Sequence, residues 1–265
     1  MSTSDIRFRA GEPVAGISRV SLTRWEALDD DRVVGHGDVV TRPDGRLFVS
    51  VDAWHDAVFD QLAGAMVGTL RRPLHTVVDE NDTELVSGWE RAGFAVRRRE
   101  WEYLVPTDPA VTGLDAVRPP EGVTIVPVGR AAEGALREVD RVIRDEVGAT
   151  VGWQEMPVEN LGVPGVDTIV DPSKYLAAAE ADRYVGLARV VEMGRLPRIG
   201  LIAVRADRRR RGIARAMLAG ALAALHERGI DTVSTEVKES NTAAAALFEG
   251  IGARRVNSTL EMVLR

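Results

Sequence analysis

The chain has 265 residues, 45% of them apolar, enough for one large domain or two small ones with a real core. A net charge of -6 argues against a nucleic-acid partner, and the absence of cysteine excludes disulfides and thiol chemistry. No window reaches the ~18 uninterrupted apolar residues of a membrane span, and the opening MSTSDIRFRAGEP lacks a signal-peptide core. A cytoplasmic protein with no membrane partner is expected.

Taken in chain order, the first half offers a glycine-centred strand, DRVVGHGDVV (31–40), then VDAWHDAVFDQLAGAM (51–66), then NDTELVSGWERAGFAV (81–96). PTDPAVTGLDAVRPPEG (106–122) holds four prolines and no apolar periodicity, so it reads as an extended, exposed linker. The second half then repeats the first. DRYVGLARVV (182–191) resembles the early strand, and NTAAAALFEGIGARRV (241–256) resembles the segment from Asn81. Each later segment carries an Asn, a helical stretch, a bulky aromatic (Trp89, Phe248) and a glycine past the helix end (Gly93, Gly252). The expected organisation is a duplicated unit: 1–105, a linker at 106–121, and 122–265.

Between the halves of the second copy lies PRIGLIAV (197–204), a buried strand by composition, followed by RADRRRRG. From Ile213 the apolar residues Met217, Leu218, Ala221, Leu222 and Leu225 trace one helix face that stops at Gly229. IDTVSTEV (230–237) then alternates as a strand. Four arginines and Gly212 therefore stand at a strand-to-helix turn. Unpaired amides, the positive dipole end and a side-chain-free residue make such a turn an anion cradle; the bland alternative is a solvated basic turn. There is no G-x-x-x-x-G-K-[ST] and no dinucleotide fingerprint. The four histidines, at 36, 55, 75 and 226, have no metal-ligand spacing, so no metal is assigned.

The stretch from Val204 to Ala214, V-R-A-D-R-R-R-R-G-I-A, resembles the R/Q-x-x-G-x-G/A signature of the GCN5-related N-acetyltransferases (GNAT). N-T-A-A-A-A-L-F-E-G-I-G-A, from Asn241, is similar to their later N-x-x-A-x-x-L-Y-x-x-x-G-F element. The resemblance implies an α+β fold, a mixed and mostly antiparallel sheet flanked by helices, with the first copy a degenerate tandem domain that lacks the phosphate loop. Acetyl-CoA would be the co-substrate. Its pyrophosphate would lie on the segment Arg209, Arg210, Arg211, Gly212, Ile213, Ala214 and Arg215, its pantetheine along Ile202, Ala203 and Val204, with Asn241 and Phe248 nearby. The acceptor would be a primary amine of a small molecule or peptide.

Two departures bear on catalysis. Phe248 stands where the family usually has a proton-donating tyrosine, and Gly200 stands where many members carry a carboxylate. Glu236, in STEVKESN, resembles the glutamate of ribosomal-protein alanine acetyltransferases and is the candidate base; the alternative is a solvated carboxylate at a strand end. Glu192 and Tyr184 are weaker candidates. Residues 130–183 hold 11 Asp and Glu against 6 Arg and Lys, an acidic rim suited to cationic amines. GWQEMPVENLGVPG (152–165) reads as a loop over the acceptor pocket, giving Trp153, Glu155 and Tyr184 as acceptor contacts, with Trp153 equally readable as a core anchor. The competing function is a non-catalytic acyl-CoA-binding or interaction module.

Overall fold

A computed structural model describes residues 15–150, 170–192 and 196–265. In chain order the first elements are β1 (Gly16–Arg19), β2 (Arg24–Asp29), β3 (Arg32–Thr41), β4 (Leu47–Ala53), α1 (Asp56–Thr69), β5 (Leu74–Asp79), α2 (Thr83–Arg91) and β6 (Ala95–Pro106). Next come α3 (Pro109–Thr112), β7 (Val123–Val126), α4 (Glu133–Thr150), β8 (Tyr175–Glu180) and β9 (Arg183–Val191). The chain closes with β10 (Arg198–Val204), α5 (Ile213–His226), β11 (Thr232–Lys238), α6 (Thr242–Glu249) and β12 (Arg254–Leu264).

The chain divides into two compact units, Met1–Arg99 with Thr259–Arg265, and Glu100–Ser258. In unit 1 the strand order is β1-β2-β3-β4-β5-β12, antiparallel except where β4 meets β5. In unit 2 the order is β7-β8-β9-β10-β11-β6, antiparallel except where β10 meets β11. Each sheet is thus completed by a strand from the other half of the sequence. A boundary drawn from composition follows the chain and leaves β6 and β12 with their own copies; pairing across distant sequence does not respect it.

The proline-rich connection also differs from the expected extended linker. Asp108 accepts a hydrogen bond from the Ala110 amide and, with Pro109 at the first helical position, starts the short helix α3. Thr107 and Leu114 are buried, and the Thr107 hydroxyl donates to the Ile230 carbonyl. Two buried anchors tie this segment to the unit 2 core.

Both units pack one helix on one sheet face by the same device. Val58, Phe59, Leu62, Ala63 and Met66 form the buried stripe of α1; Ile213, Ala216, Met217, Leu218, Ala221, Leu222 and Leu225 form that of α5. Complete burial of each large apolar side chain stabilises by roughly 1.5–3 kcal/mol. Gly35 on β3 and Gly186 on β9 admit these helices: a Cβ on Gly35 would lie 3.0 Å from Leu62 and Val58, and one on Gly186 3.1 Å from Met217. The repeated glycine seen in the sequence is therefore a repeated close approach of helix to sheet. In unit 2, α4 covers the opposite face through Leu136, Val139 and Ile143, which pack with Tyr175, Ala177 and Leu187.

Candidate active site

In unit 2 the parallel strands β10 and β11 touch only at their beginnings. The single register pair is Arg198↔Ser234, reinforced by Ser234 N–H to the Pro197 carbonyl at 2.9 Å and the Thr235 hydroxyl to the Ile199 carbonyl at 2.9 Å. Beyond that point β10 stays paired with β9 as far as Val204↔Gly186, while its other edge parts from β11. The strand is also bulged at Gly200, where the register slips between Ile199 and Leu201. A lone glycine inside an apolar strand is the sequence signal for such a bulge. The result is a wedge whose one wall is the backbone of Ile202, Ala203 and Val204, an edge suited to hydrogen bonding an extended amide chain.

The wedge runs into the loop 205–212. Arg210 has φ 63° and Gly212 φ 83°, both left-handed. That conformation strains an arginine, and such strain is concentrated at functional sites. Gly212 is the N-cap of α5, with no side chain to satisfy the helix, and a Cβ there would meet nothing within 4 Å. The amides of Arg210, Arg211, Gly212, Ile213, Ala214 and Arg215 find no acceptor among the described residues. Several donors at a positive helix end, with open space before them, form an anion site.

The arginine run is divided between two tasks. Arg208 donates to Glu180 at 2.6 Å, and Arg211 reaches the same carboxylate at 3.2 Å. The Arg208 hydrogen bond chiefly, with both guanidinium charges, holds Glu180 below its ordinary carboxylate range. Glu146 on α4 accepts from the Ala206 amide at 2.7 Å and pairs with Arg209 at 3.7 Å, while Arg209 also donates to the Val204 carbonyl. These contacts fix the loop. Arg210 and Arg215 are exposed and make no ion pair among the described residues.

Glu236 lies on β11, two residues past the closing pair; two residues past that pair on β10 is Gly200. The carboxylate thus stands level with the bulge at the vertex of the wedge. Val233 and Val237 turn to the α5 core, so Glu236 faces the opposite, α4 side of the sheet and is exposed. Arg198 donates to it at 2.7 Å. Arg198 was not singled out by sequence reasoning; only the strand pairing brings it beside Glu236.

The other candidates are dispersed. Glu192 lines an open cleft of about 330 Å³ with Val190, Ala221 and Leu225 on the α5 side. Its bonds from Arg228, one of them 3.0 Å, hold it below its ordinary carboxylate range. It lies on the wrong face and at the wrong end of β9 to serve the wedge. Tyr184 is at the far end of β9, where its hydroxyl accepts from the Ala132 amide at 3.0 Å. Asn241 caps α6, its side-chain oxygen accepting from Ala244 N–H at 3.2 Å. Phe248 is 2% exposed and stacks on Tyr103 at 6.4 Å, a core position. The Tyr103 hydroxyl is engaged by Glu249 at 2.9 Å and Arg255 at 2.8 Å, and burial raises its pKa. Trp153 and Glu155 lie outside the described residues.

Among the described residues the acidic rim is also largely spent. Within 130–183, Glu133, Asp140, Asp145 and Asp171 pair with Arg137, Arg144, Arg141 and Lys174, and Glu146 and Glu180 serve the arginine loop. A count of charges along sequence cannot see these partners. Among the described residues no group of His, Asp and Glu is arranged to hold a metal, and no helix is long and apolar enough to cross a membrane.

An edge-open strand leading to an uncapped helix N-terminus can hold an extended amide chain ending in an anion. Residues 146–253 match the acetyltransferase (GNAT) family. The chain is similar to the mycothiol acetyltransferase of Thermobispora bispora, 32% identical over 176 residues, which is 62% of this chain and 57% of that protein, little more than half its length. Its fold is that of a GCN5-related N-acetyltransferase from Sphaerobacter thermophilus (TM-score 0.62, 20% identity, 93% of this chain and 82% of the other). A tandem GNAT protein from the clavulanic acid biosynthesis pathway is similar too (TM-score 0.63, 15% identity, 95% and 83%). The chain thus has the GNAT fold, and residues 146–253 of unit 2 carry the match to the acetyltransferase family.

Proposed function

We propose that unit 2 moves an acetyl group from acetyl-CoA to a primary amine of a small molecule or peptide by direct transfer. The observation that carries this reading is the wedge between β10 and β11 opening onto the free amides at Gly212. Phosphate oxygens fit those amides, with Arg210 and Arg215 beside them, and an extended amide chain fits the edge of Ile202, Ala203 and Val204. The thioester then falls near Gly200, within reach of Glu236.

The chemistry asked of the protein is limited. The amine nitrogen attacks the thioester carbonyl carbon, the carbonyl electrons move to oxygen, and the carbon–sulfur bond breaks as they return. Glu236, directly or through water, takes the proton that the ammonium must lose first. Backbone N–H groups at the bulge stabilise the oxyanion, and positioning supplies much of the rest. With Phe248 in place of a hydroxyl donor, the thiol leaves as thiolate; at a pKa of roughly 8.5 it is a tolerable leaving group.

Thiol release from acetyl-CoA, measured with a chromogenic disulfide against a panel of primary amines, tests the proposal. Amine-dependent release is expected. Calorimetric acetyl-CoA binding without release on any amine class would instead support a non-catalytic acyl-CoA-binding module.

A further inference from the structure

The face of the unit 2 sheet that carries Glu236 also carries an arginine without a counter-ion. Tyr175 on β8 lies opposite Arg189 on β9, and Arg189 lies opposite Leu201 on β10, the residue after the Gly200 bulge. Tyr175 and Leu201 pack in the α4-side core, whereas Ala188 and Val190 belong to the α5-side core. Side chains alternate along a strand and directly opposed residues share a face, so Arg189 projects to the α4 side. The register thus sets Arg189 and Tyr175 in one row beside the bulge, on the side of the sheet from which an amine reaches Glu236.

Two observations point to a ligand here. Arg189 is half-buried and makes no hydrogen bond or ion pair among the described residues. Tyr175 is 5% exposed, and its hydroxyl likewise makes no hydrogen bond among them. Burial pushes that hydroxyl's pKa up and the nearby Arg189 charge works against it; Asp140, Arg144 and Asp171 are the other charges it feels. Those three are committed elsewhere, Asp140 to Arg144 at 2.5 Å and Asp171 to Lys174 at 3.2 Å. Arg198, the guanidinium at the start of β10, is held by Glu236. Among the described residues, one positive charge and one buried hydroxyl beside the bulge are left unanswered, and an unmade bond at a buried polar group is costly. We infer that Arg189 and Tyr175 bind a carboxylate of the acceptor. A guanidinium donates two parallel N–H bonds to a carboxylate, and a phenol O–H supplies a third. One unpaired positive charge matches a carboxylate monoanion better than a phosphate dianion. β9 lies one strand spacing from the bulge, so the carboxylate stands about 5 Å or more from the reacting nitrogen. The acceptor class is then a short ω-amino acid, or a larger primary amine with a carboxylate at that reach. This rests on the acetyl-transfer reading of the wedge and narrows its substrate class.

The test compares 4-aminobutyrate with its neutral amide, 4-aminobutyramide, on the wild type, Arg189→Gln and Tyr175→Phe. The wild type is expected to favour the acid by about tenfold or more in KM, the scale of one charge-assisted hydrogen bond. Arg189→Gln should raise KM for the acid about tenfold and abolish the preference, with kcat for the acid near wild type and acetyl-CoA affinity unaltered. Arg189→Lys should restore part of the preference, since it returns the charge without the fork. Tyr175→Phe deletes an oxygen that bonds nothing among the described residues, so the fold is retained; KM for the acid should rise about threefold or more. Raised salt should erode the acid preference in the wild type and not in Arg189→Gln. Titrating 4-aminobutyrate calorimetrically into CoA-saturated protein reads the same contact without turnover, with weaker binding to both variants expected. No acid preference in the wild type, an equal preference in Arg189→Gln, or a stronger preference for 3-aminopropyl phosphate overturns the inference while leaving acetyl transfer standing. Binding of 4-aminobutyrate that depends on Arg189, with no turnover of any amine, would instead overturn the acetyl-transfer reading.

Discussion

Unit 1 and unit 2 share a run of elements, four antiparallel strands, a helix, a parallel strand, a helix and a final strand, to which unit 2 adds α4 between its first two strands. In unit 1, too, the parallel pair is brief, confined to Leu47↔Leu74 and Phe48↔His75. The two diverge at the crossing from the fourth strand to its helix. Unit 2 inserts residues 205–212, with Gly212 as an open cap; unit 1 crosses from Ala53 to α1 in residues 54–55, with His55 as cap and Asp56 in the first turn. A carboxylate at that turn already complements the helix dipole and would repel a phosphate. The splayed strands are common to both units, whereas the open helix start comes from one loop.

The last strands of the two sheets carry a matched pair of glutamates with opposite fates. Glu102 on β6 and Glu261 on β12 each face the residue five before a helix cap, Glu236 before Asn241 and Val77 before Asp82. Glu102 is partly buried on β6, one strand beyond the wedge, and no side chain pairs with it among the described residues. Glu261 is 4% exposed and is gripped by His75 at 3.1 Å, Arg46 and Arg97 at 3.0 Å, and Arg98 at 3.3 Å. Unit 1 therefore plugs the position of its glutamate with its own arginines, as unit 2 does not.

The largest effect should come from breaking that plug. Glu261→Leu leaves three guanidinium groups without their central anion, and breaking such a buried pair costs about 3–5 kcal/mol. Burial pushes the Glu261 carboxyl up, but the His75 bond and the charges of Arg98, Arg97 and Arg46 outweigh it and hold the group below its ordinary value. A depressed carboxylate stabilises fully above its unfolded pKa, about 4.3, and loses that contribution as pH falls through the folded value. Denaturant unfolding should show wild-type stability falling on acidification below about pH 4. The gap to Glu261→Leu should narrow over the same range.

Next in size is the base. Glu236→Gln should lower kcat/KM by ~10² or more without changing acetyl-CoA affinity, and should remove the acidic limb of the pH profile. Near-full activity with that limb intact would move the base elsewhere. Gly212→Asp converts the unit 2 cradle into the acidic helix start of unit 1. Aspartate tolerates the left-handed φ of 83° better than most side chains, so folding should survive. Acetyl-CoA affinity should fall at least tenfold, ~1.4 kcal/mol by calorimetry, and unchanged binding would return the arginines to a plain solvated turn. The smallest effect is shared by both units. Asp82 and Asn241 cap equivalent helices, accepting from Leu85 at 3.0 Å and Ala244 at 3.2 Å. Replacing either by Ala should cost about 1 kcal/mol in thermal unfolding. A cost much larger at Asn241 would mean that its side chain does more than cap.

Sequence alone determined the local features: the helices stopped just before Gly229 and Gly252, the strand-to-helix turn at Gly212 and the candidacy of Glu236. Each depends on propensities and spacings within one turn or one strand, where backbone conformation and periodicity act over a few residues. Gly200 was noted in the sequence only as a missing carboxylate, and the strand register is what shows the bulge there. Tertiary structure decided which strands complete which sheet, that Glu102 faces Glu236, that Arg198 holds Glu236 and that Glu261 is buried under three arginines. It also showed that six of the acids of 130–183 are committed to neighbouring arginines or to Lys174. The physical reason is that a pairing register between distant strands is set by the packing of both sheet faces, and a slip of one residue would send every side chain to the other face. No local pattern around Glu102 or Glu261 encodes which partner it meets.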